Sequence, residues 1–198
     1  DLYYAHTDDI TTPLEETMEA LASIVRSGKA LYVGLSNYDG ATLREACTLL
    51  KELHCPFIIN QNRYSIFDRT IEENGLKESA KDLKKGIIAF SPLAQGLLTN
   101  RYLNGIPSDS RIATDSRFLT ETALTPEKLA QIQALNALAG ERGQTLAEMA
   151  LSWVLRDGIV NSVLIGASKP QQILDNIKIV GHTHFTDEEL RKIDEIVK

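Results

Sequence analysis

Six polar side chains stand at the ends of short apolar runs: His6 after LYYA, Ser36 and Asn37 after YVGL, Gln61 after FIIN, Ser91 after IIAF and Ser168 after VLIGA. A histidine so placed can donate an imidazole N–H to an oxygen that gains charge during a reaction. Asn37 and Gln61 carry amides that both donate and accept, the complement of a planar carboxamide. Phe90, directly before Ser91, can offer a ring face for stacking. Arg101, Arg111 and Lys169 fall in the segments SPLAQGLLTNRYLNGIPSDSR and GASKPQQILDN, where cations beside a helix N-terminus would suit a phosphate. Each feature alone is ordinary, since Asn after a strand often caps a helix and a loop cation is often only solvated. Their recurrence at one strand end after another points to a shared rim. His54 reads as part of an amphipathic helix. His182 and His184 flank one loop residue without a Cys or carboxylate at ligand spacing, so no metal site is expected.

The elements that would carry this rim alternate. Thr12, Pro13 and Glu15 read as N-cap, first helical residue and capping-box acid, followed by Leu14, Met18, Leu21 and Val25 on one face until Gly28. ALYVGLSN then reads as a strand, and Leu43, Ala46, Cys47, Leu50 and His54 as a helix face. FIINQ is a strand, Leu76, Ala80 and Leu83 mark a helix closed by Gly86, and IIAF is a strand. Thr145 with Glu148 forms a capping box before Met149 and Trp153. VNSVLIG is a strand followed by Pro170, Ile173, Leu174 and Ile177, and Thr186 with Glu189 opens a last helix carrying Leu190, Ile193 and Ile196.

Short, continuously apolar strands between helices suit a parallel sheet covered on both faces. The alternation leaves a doubly wound sheet or a (β/α) barrel. A nucleotide-binding doubly wound sheet commonly opens on a G-x-G-x-x-G turn, which is missing, whereas polar strand tips at one rim are barrel organisation. Five strands are read where a closed barrel has eight and ~250 residues. The expectation is therefore one α/β domain over residues 1–198, an incomplete barrel of five strands plus a C-terminal helix.

The 198 residues carry 21 Lys and Arg against 27 Asp and Glu, a net charge of -6, which opposes non-specific binding to nucleic acid or anionic membranes. Cys47 and Cys55 form no CxxC pair and suggest neither a zinc site nor a disulfide framework. Without an apolar run near the ~20 residues of a membrane span or a signal-peptide pattern, a cytoplasmic protein is expected.

The segments DLYYAH, ALYVGLSNY, INQNRYSIF, IAFSPLAQGLLT and SVLIGASKPQQILDN, taken in order, resemble the aldo-keto reductase superfamily. They are similar to its bacterial branch acting on glyceraldehyde 3-phosphate and methylglyoxal, and in turn to potassium-channel beta subunits. The resemblance implies a (β/α)8 TIM barrel that binds NADPH at its carboxyl rim and reduces a small-molecule aldehyde or ketone by hydride transfer. It also implies that the five strands are strands 4 to 8 of that barrel, with strands 1 to 3 absent. It assigns His6 to the substrate carbonyl, Ser36, Asn37 and Gln61 to the nicotinamide carboxamide, and Phe90 to the nicotinamide ring. Ser91, Leu93, Gln95 and Gly96 follow along the cofactor, with Arg101 and Arg111 near its phosphates. Gly166, Ser168, Lys169, Gln172, Asp175 and Asn176 match the adenosine and 2′-phosphate end, where Lys169 would favour NADP over NAD.

The family's proton-donating tyrosine, with its lysine and aspartate, has no counterpart in these motifs and is expected upstream of Asp1. A redox-sensing nucleotide-binding module and an inactive shortened polypeptide are the alternative readings, the latter with open strand edges prone to pairing. Relatives in this branch commonly assemble, so the resemblance is compatible with a homo-oligomer, and the sequence itself does not specify the oligomeric state.

Overall fold

The computed structural model describes residues 1–107 and 121–198. The chain forms two compact units, one of residues 1–64, 69–90 and 157–162, the other of residues 65–68, 91–156 and 163–198.

The first unit carries the sheet. Strands β1 (Leu2–Ala5), β2 (Tyr32–Ser36), β3 (Phe57–Arg63), β4 (Gly86–Phe90) and β5 (Val160–Val163) are ordered 1-2-3-4-5. The ladders from β1 to β4 are parallel, the arrangement imposed by a helical crossover after each strand. Helices α1 (Leu14–Arg26), α2 (Gly40–Glu52), α3 (Thr70–Glu73) and α4 (Leu76–Asp82) supply the crossovers.

Leu35, Asn60 and Ile87 are register partners and fully buried, as are Met18 of α1, Leu43 and Leu50 of α2 and Leu76 of α4. Alternation puts Tyr4, Gly34 and Ile59, then Ser36, Gln61 and Ile88, then Arg63 and Phe90 on the opposite face. Within this unit Ile59, Gln61, Ile88 and Phe90 are only half-buried. This face is thus buried at Gly34 and Ser36 of β2 and accessible along β3 and β4, where the apolar runs predict closure.

Some local expectations change. Pro13, not Thr12, occupies the N-cap of α1, without a side-chain cap. The Thr12 hydroxyl donates instead to Asp9 Oδ2 at 2.8 Å, and Asp9 also accepts from the Thr11 amide and hydroxyl. These hydrogen bonds favour the carboxylate and lower its pKa. His54 lies beyond the end of α2, in left-handed backbone at φ 51°. Helix α4 turns off through left-handed Lys84, while Gly86 begins β4, its bare Cα leaving room for Asn161 Oδ1 and Ile59.

In the second unit α5 (Pro126–Glu141) starts at a Thr125 cap on the Lys128 amide, 3.1 Å away. Helices α6 (Leu146–Leu155) and α8 (Asp187–Val197) open on the expected Thr145–Glu148 and Thr186–Glu189 capping boxes. The short α7 (Pro170–Asn176) lies between them in sequence. Ile132, Leu135, Met149, Trp153 and Ile193 are buried. Arg142 joins two parts of this unit, pairing with Glu189, donating to the His184 carbonyl at 2.9 Å and lying 3.7 Å from the Phe185 ring centroid. Among the described residues no helix is long and apolar enough to cross a membrane, and no cluster of His, Cys, Asp or Glu could hold a metal.

A close approach of α2 to the start of α4 depends on Gly40. A Cβ there would run into the Gly75 backbone carbonyl and stand 2.9 Å from Ser79 Oγ, and the Gly40 amide donates to the Asn74 carbonyl at 3.1 Å. Gly40→Ala is expected to lower unfolding stability by about 1–3 kcal/mol. Urea unfolding checks this, and an unchanged midpoint would mean that the α4 loop can move aside.

Candidate active site

Three strand ends of the sheet unit are joined through one hydrogen-bonded chain, and a separate backbone bond ties in the fourth. Ser36, fully buried, donates its hydroxyl to the Gln61 carbonyl at 2.8 Å, and the Asn37 amide donates to the same oxygen at 3.0 Å. Asn37 Nδ2 donates to Ser36 Oγ at 3.2 Å and to the His6 carbonyl at 3.0 Å. The ends of β1, β2 and β3 are thereby joined by side chains as well as by the ladder. The Tyr64 amide extends the contact to the carbonyl of Phe90 on β4.

These bonds decide what each group can offer a ligand. Ser36 Oγ–H is used internally. Both Asn37 Nδ2–H groups are used, leaving Oδ1 as an acceptor. The half-buried Gln61 amide makes no hydrogen bond to a described residue, so it can donate and accept. The Phe90 ring is half-buried on the accessible face, with the Arg63 guanidinium 5.9 Å from its centroid. His6 is exposed. Arg63 was not singled out by sequence reasoning, although its position two residues beyond Gln61 puts it on the same strand face.

The second unit holds the other assigned residues. Ser91, Ala94 and Gln95 have left-handed φ values of 53°, 48° and 61°, followed by Gly96 at 99°. Such backbone costs non-glycine residues of order 1 kcal/mol each and collects at ligand-binding loops. Gln95 Nε2 donates to Ser91 Oγ at 3.3 Å, the Gly96 amide donates to the half-buried Leu93, and Gly96 O accepts from the Thr99 hydroxyl at 2.7 Å. Arg101 is exposed. Arg111 lies outside the described residues.

At the start of α7, Gln172 Oε1 accepts from the Ser168 and Lys169 amides at 2.7 and 3.2 Å, fixing that turn. Gly166, Ser168 and Lys169 are exposed, and the Lys169 ammonium forms no ion pair with a described residue. Asp175 accepts from Gln171 and Lys178 at 3.0 and 2.8 Å, which lowers its pKa. Asn176 is half-buried at the end of this helix.

A buried charged cluster supports the segment after β3. Lys77 Nζ lies 2.7 Å from Asp157, 3.3 Å from Glu72 and 3.1 Å from the Tyr64 hydroxyl, which itself donates to Glu72. No sequence motif signals it, because the partners come from the residue after β3, from α3, from α4 and from the approach to β5.

Comparison with known proteins identifies relatives along the whole chain. The model of the Aldo/keto reductase family matches residues 1–198. The chain is 45% identical over 198 residues to L-glyceraldehyde 3-phosphate reductase of Escherichia coli K12, covering 98% of this chain and 57% of that protein. It is 34% identical over 203 residues to a Schizosaccharomyces pombe protein named for a voltage-gated potassium channel beta subunit, covering 100% of this chain and 59% of that one. Among solved structures, the glycerol dehydrogenase of Gluconobacter oxydans matches with a TM-score of 0.77 and 29% identity over 100% of this chain and 58% of that one. A thermostable aldo-keto reductase solved with epalrestat matches with a TM-score of 0.72 and 26% identity over 99% and 59%. The chain thus spans less than two thirds of the length of each of these relatives, and its fold is a partial barrel.

Tyr38, adjoining the rim, gives a test of the local packing. Its ring is fully buried and its hydroxyl has no hydrogen-bond partner among the described residues. Burial, helped by the Asp8 charge, pushes its pKa up to about 12. The unfolded chain therefore loses this proton first, near pH 10. The stability contribution is fully present below pH 10 and drains away up to about pH 12. Tyr38→Phe should leave stability at pH 7 unchanged or raised and weaken its fall across that alkaline window. Urea midpoints at both ends of the window check this, and a large loss at pH 7 would show that the hydroxyl is bonded.

Proposed function

The chain belongs to the aldo/keto reductase family, and from that premise we propose that it carries the cofactor side of a cytoplasmic, NADPH-dependent reductase of small aldehydes and ketones. The observation that carries the proposal is the rim on the sheet's accessible face, where an uncommitted Gln61 amide and the Asn37 Oδ1 acceptor accompany the Phe90 ring. A nicotinamide fits that set, since its carboxamide needs both donors and acceptors and its ring needs an apolar face.

In this reading Gln61 and Asn37 orient the carboxamide, Phe90 supports the ring, and Ser36 holds the Gln61 and Asn37 backbones in register. The Ser91–Gly96 loop and Arg101 carry the phosphates, with Arg111 assigned to the same end. Gly166, Ser168 and Lys169 receive the adenosine ribose and its 2′-phosphate. Gln172 fixes the turn, and Asp175 and Asn176 shape the same end. When bound, the cofactor supplies a hydride to the carbonyl carbon. His6 then donates an N–H to the carbonyl oxygen as negative charge gathers there. Residues 1–198 act as one domain of the barrel.

The 45% likeness to a protein named L-glyceraldehyde 3-phosphate reductase supports a short, phosphorylated aldehyde as substrate, with methylglyoxal as a smaller carbonyl of the same class. The likeness to a channel beta subunit supports a second reading, a nucleotide-binding module in which turnover is secondary. Fast NADPH oxidation with either aldehyde by the complete reductase would remove that second reading.

Fluorescence titration of the 198-residue chain tests the cofactor assignment. NADPH is expected to bind about tenfold more tightly than NADH, with Lys169→Ala erasing the difference, as loss of one charge-assisted phosphate contact would. Equal affinities for the two would remove the role of Lys169, and failure to bind either would remove the cofactor reading.

A further inference from the structure

We infer that Asn37 is the positioning residue of His6, holding the end of β1 by its own backbone so that the imidazole is presented in one place. The inference rests on the reading of His6 as the residue that meets the substrate carbonyl. The resemblance gives Asn37 only a contact with the cofactor. Its geometry does something else first. Asn37 Nδ2 reaches across from the end of β2 to the His6 carbonyl at 3.0 Å, and its second N–H goes to Ser36 Oγ at 3.2 Å.

His6 follows the last residue of β1, and the ladder between β1 and β2 closes at Ala5 and Leu35. The Asn37 side chain continues the cross-strand link beyond the ladder. His6 is exposed and its ring makes no hydrogen bond to a described residue. Its restraint at this point therefore comes through the backbone.

The residue type follows from two requirements that meet at position 37. Its backbone is left-handed, at φ 63°, a conformation that glycine, Asn and Asp adopt most readily. Bonding to a carbonyl also requires a side-chain N–H. Glycine has no side chain, and an ionised Asp is acceptor-only. Asn is the compact residue that meets both demands.

Ser36 offers a comparison, because its hydroxyl donates to the Gln61 carbonyl and its oxygen accepts the second Asn37 Nδ2–H without touching His6, so Ser36→Ala removes a neighbour of the tether and keeps the bond to His6 itself. A chain with isotope-labelled histidine allows the His6 backbone order to be read by NMR relaxation alongside NADPH affinity. Wild-type His6 is expected to be ordered. Asn37→Asp keeps the shape and an acceptor oxygen but removes the donor, whereas Asn37→Gly relaxes the backbone and removes the whole side chain. Both should lower the His6 order parameter from about 0.85 to below about 0.6, with far-UV circular dichroism unchanged. Ser36→Ala should leave His6 ordered.

The inference is overturned if His6 is already mobile in the wild type, if it stays ordered in both Asn37 variants, or if Ser36→Ala loosens it equally. The last result would mean general cohesion of the rim in place of a tether. Loss of NADPH binding by the wild-type chain would instead remove the functional reading, leaving the His6 order measurement to stand or fall separately.

Discussion

One backbone oxygen organises the rim. The Gln61 carbonyl accepts the Ser36 hydroxyl and the Asn37 amide together, and the Asn37 side chain passes the link on to His6. A buried serine without an acceptor would cost about 1–3 kcal/mol, so the same bond that satisfies Ser36 also locks the ends of β2 and β3 in register. With the donors of Ser36 and Asn37 used inside the protein, the groups left facing outward are few. They are the Gln61 amide, the Asn37 acceptor, the Phe90 ring and the His6 imidazole. Specificity at such a rim comes from what the internal bonds leave over.

The rest of the sheet unit serves this arrangement by closing the opposite face. Leu35, Asn60 and Ile87 lie side by side under α1, α2 and α4, and Gly40 lets α2 approach the Gly75 backbone closely. The Lys77 cluster secures the segment that leaves β3. In the second unit the work is done by turns. The assigned Ser91, Gln95 and Gly96 have left-handed backbone and Leu93 lies next to left-handed Ala94, and Gln172 satisfies two amides ahead of α7.

Much of this was legible in the sequence wherever the determinant is local. Thr145 with Glu148 and Thr186 with Glu189 are three residues apart and form capping boxes as read. His6, Ser36 and Ser91 were legible because β1, β2 and β4 end where their apolar runs end, whereas β3 runs on through Gln61 to Arg63 and β5 stops at Val163, short of the end of the VNSVLIG run and five residues before Ser168. Thr12 misled because Asp9, three residues earlier, competes for its hydroxyl. The Ser36 bond to Gln61 spans 25 residues, and the tether from Asn37 to His6 spans 31. Neither leaves a pattern in one sequence, since what matters is the parallel register that brings distant strand ends together. The assignment of individual residues to a cofactor came from the family motifs, and the hydrogen bonds divide those residues into groups that can meet a ligand and groups that hold them.

The most direct measurement of the central claim is a crystal structure of the 198-residue chain grown with NADP⁺. The account predicts the nicotinamide ring against Phe90, its carboxamide bonded to Gln61 and Asn37 Oδ1, and the Ser36–Gln61 bond intact. A dinucleotide bound elsewhere, or one whose carboxamide displaces the Ser36 hydroxyl from the Gln61 carbonyl, would contradict it.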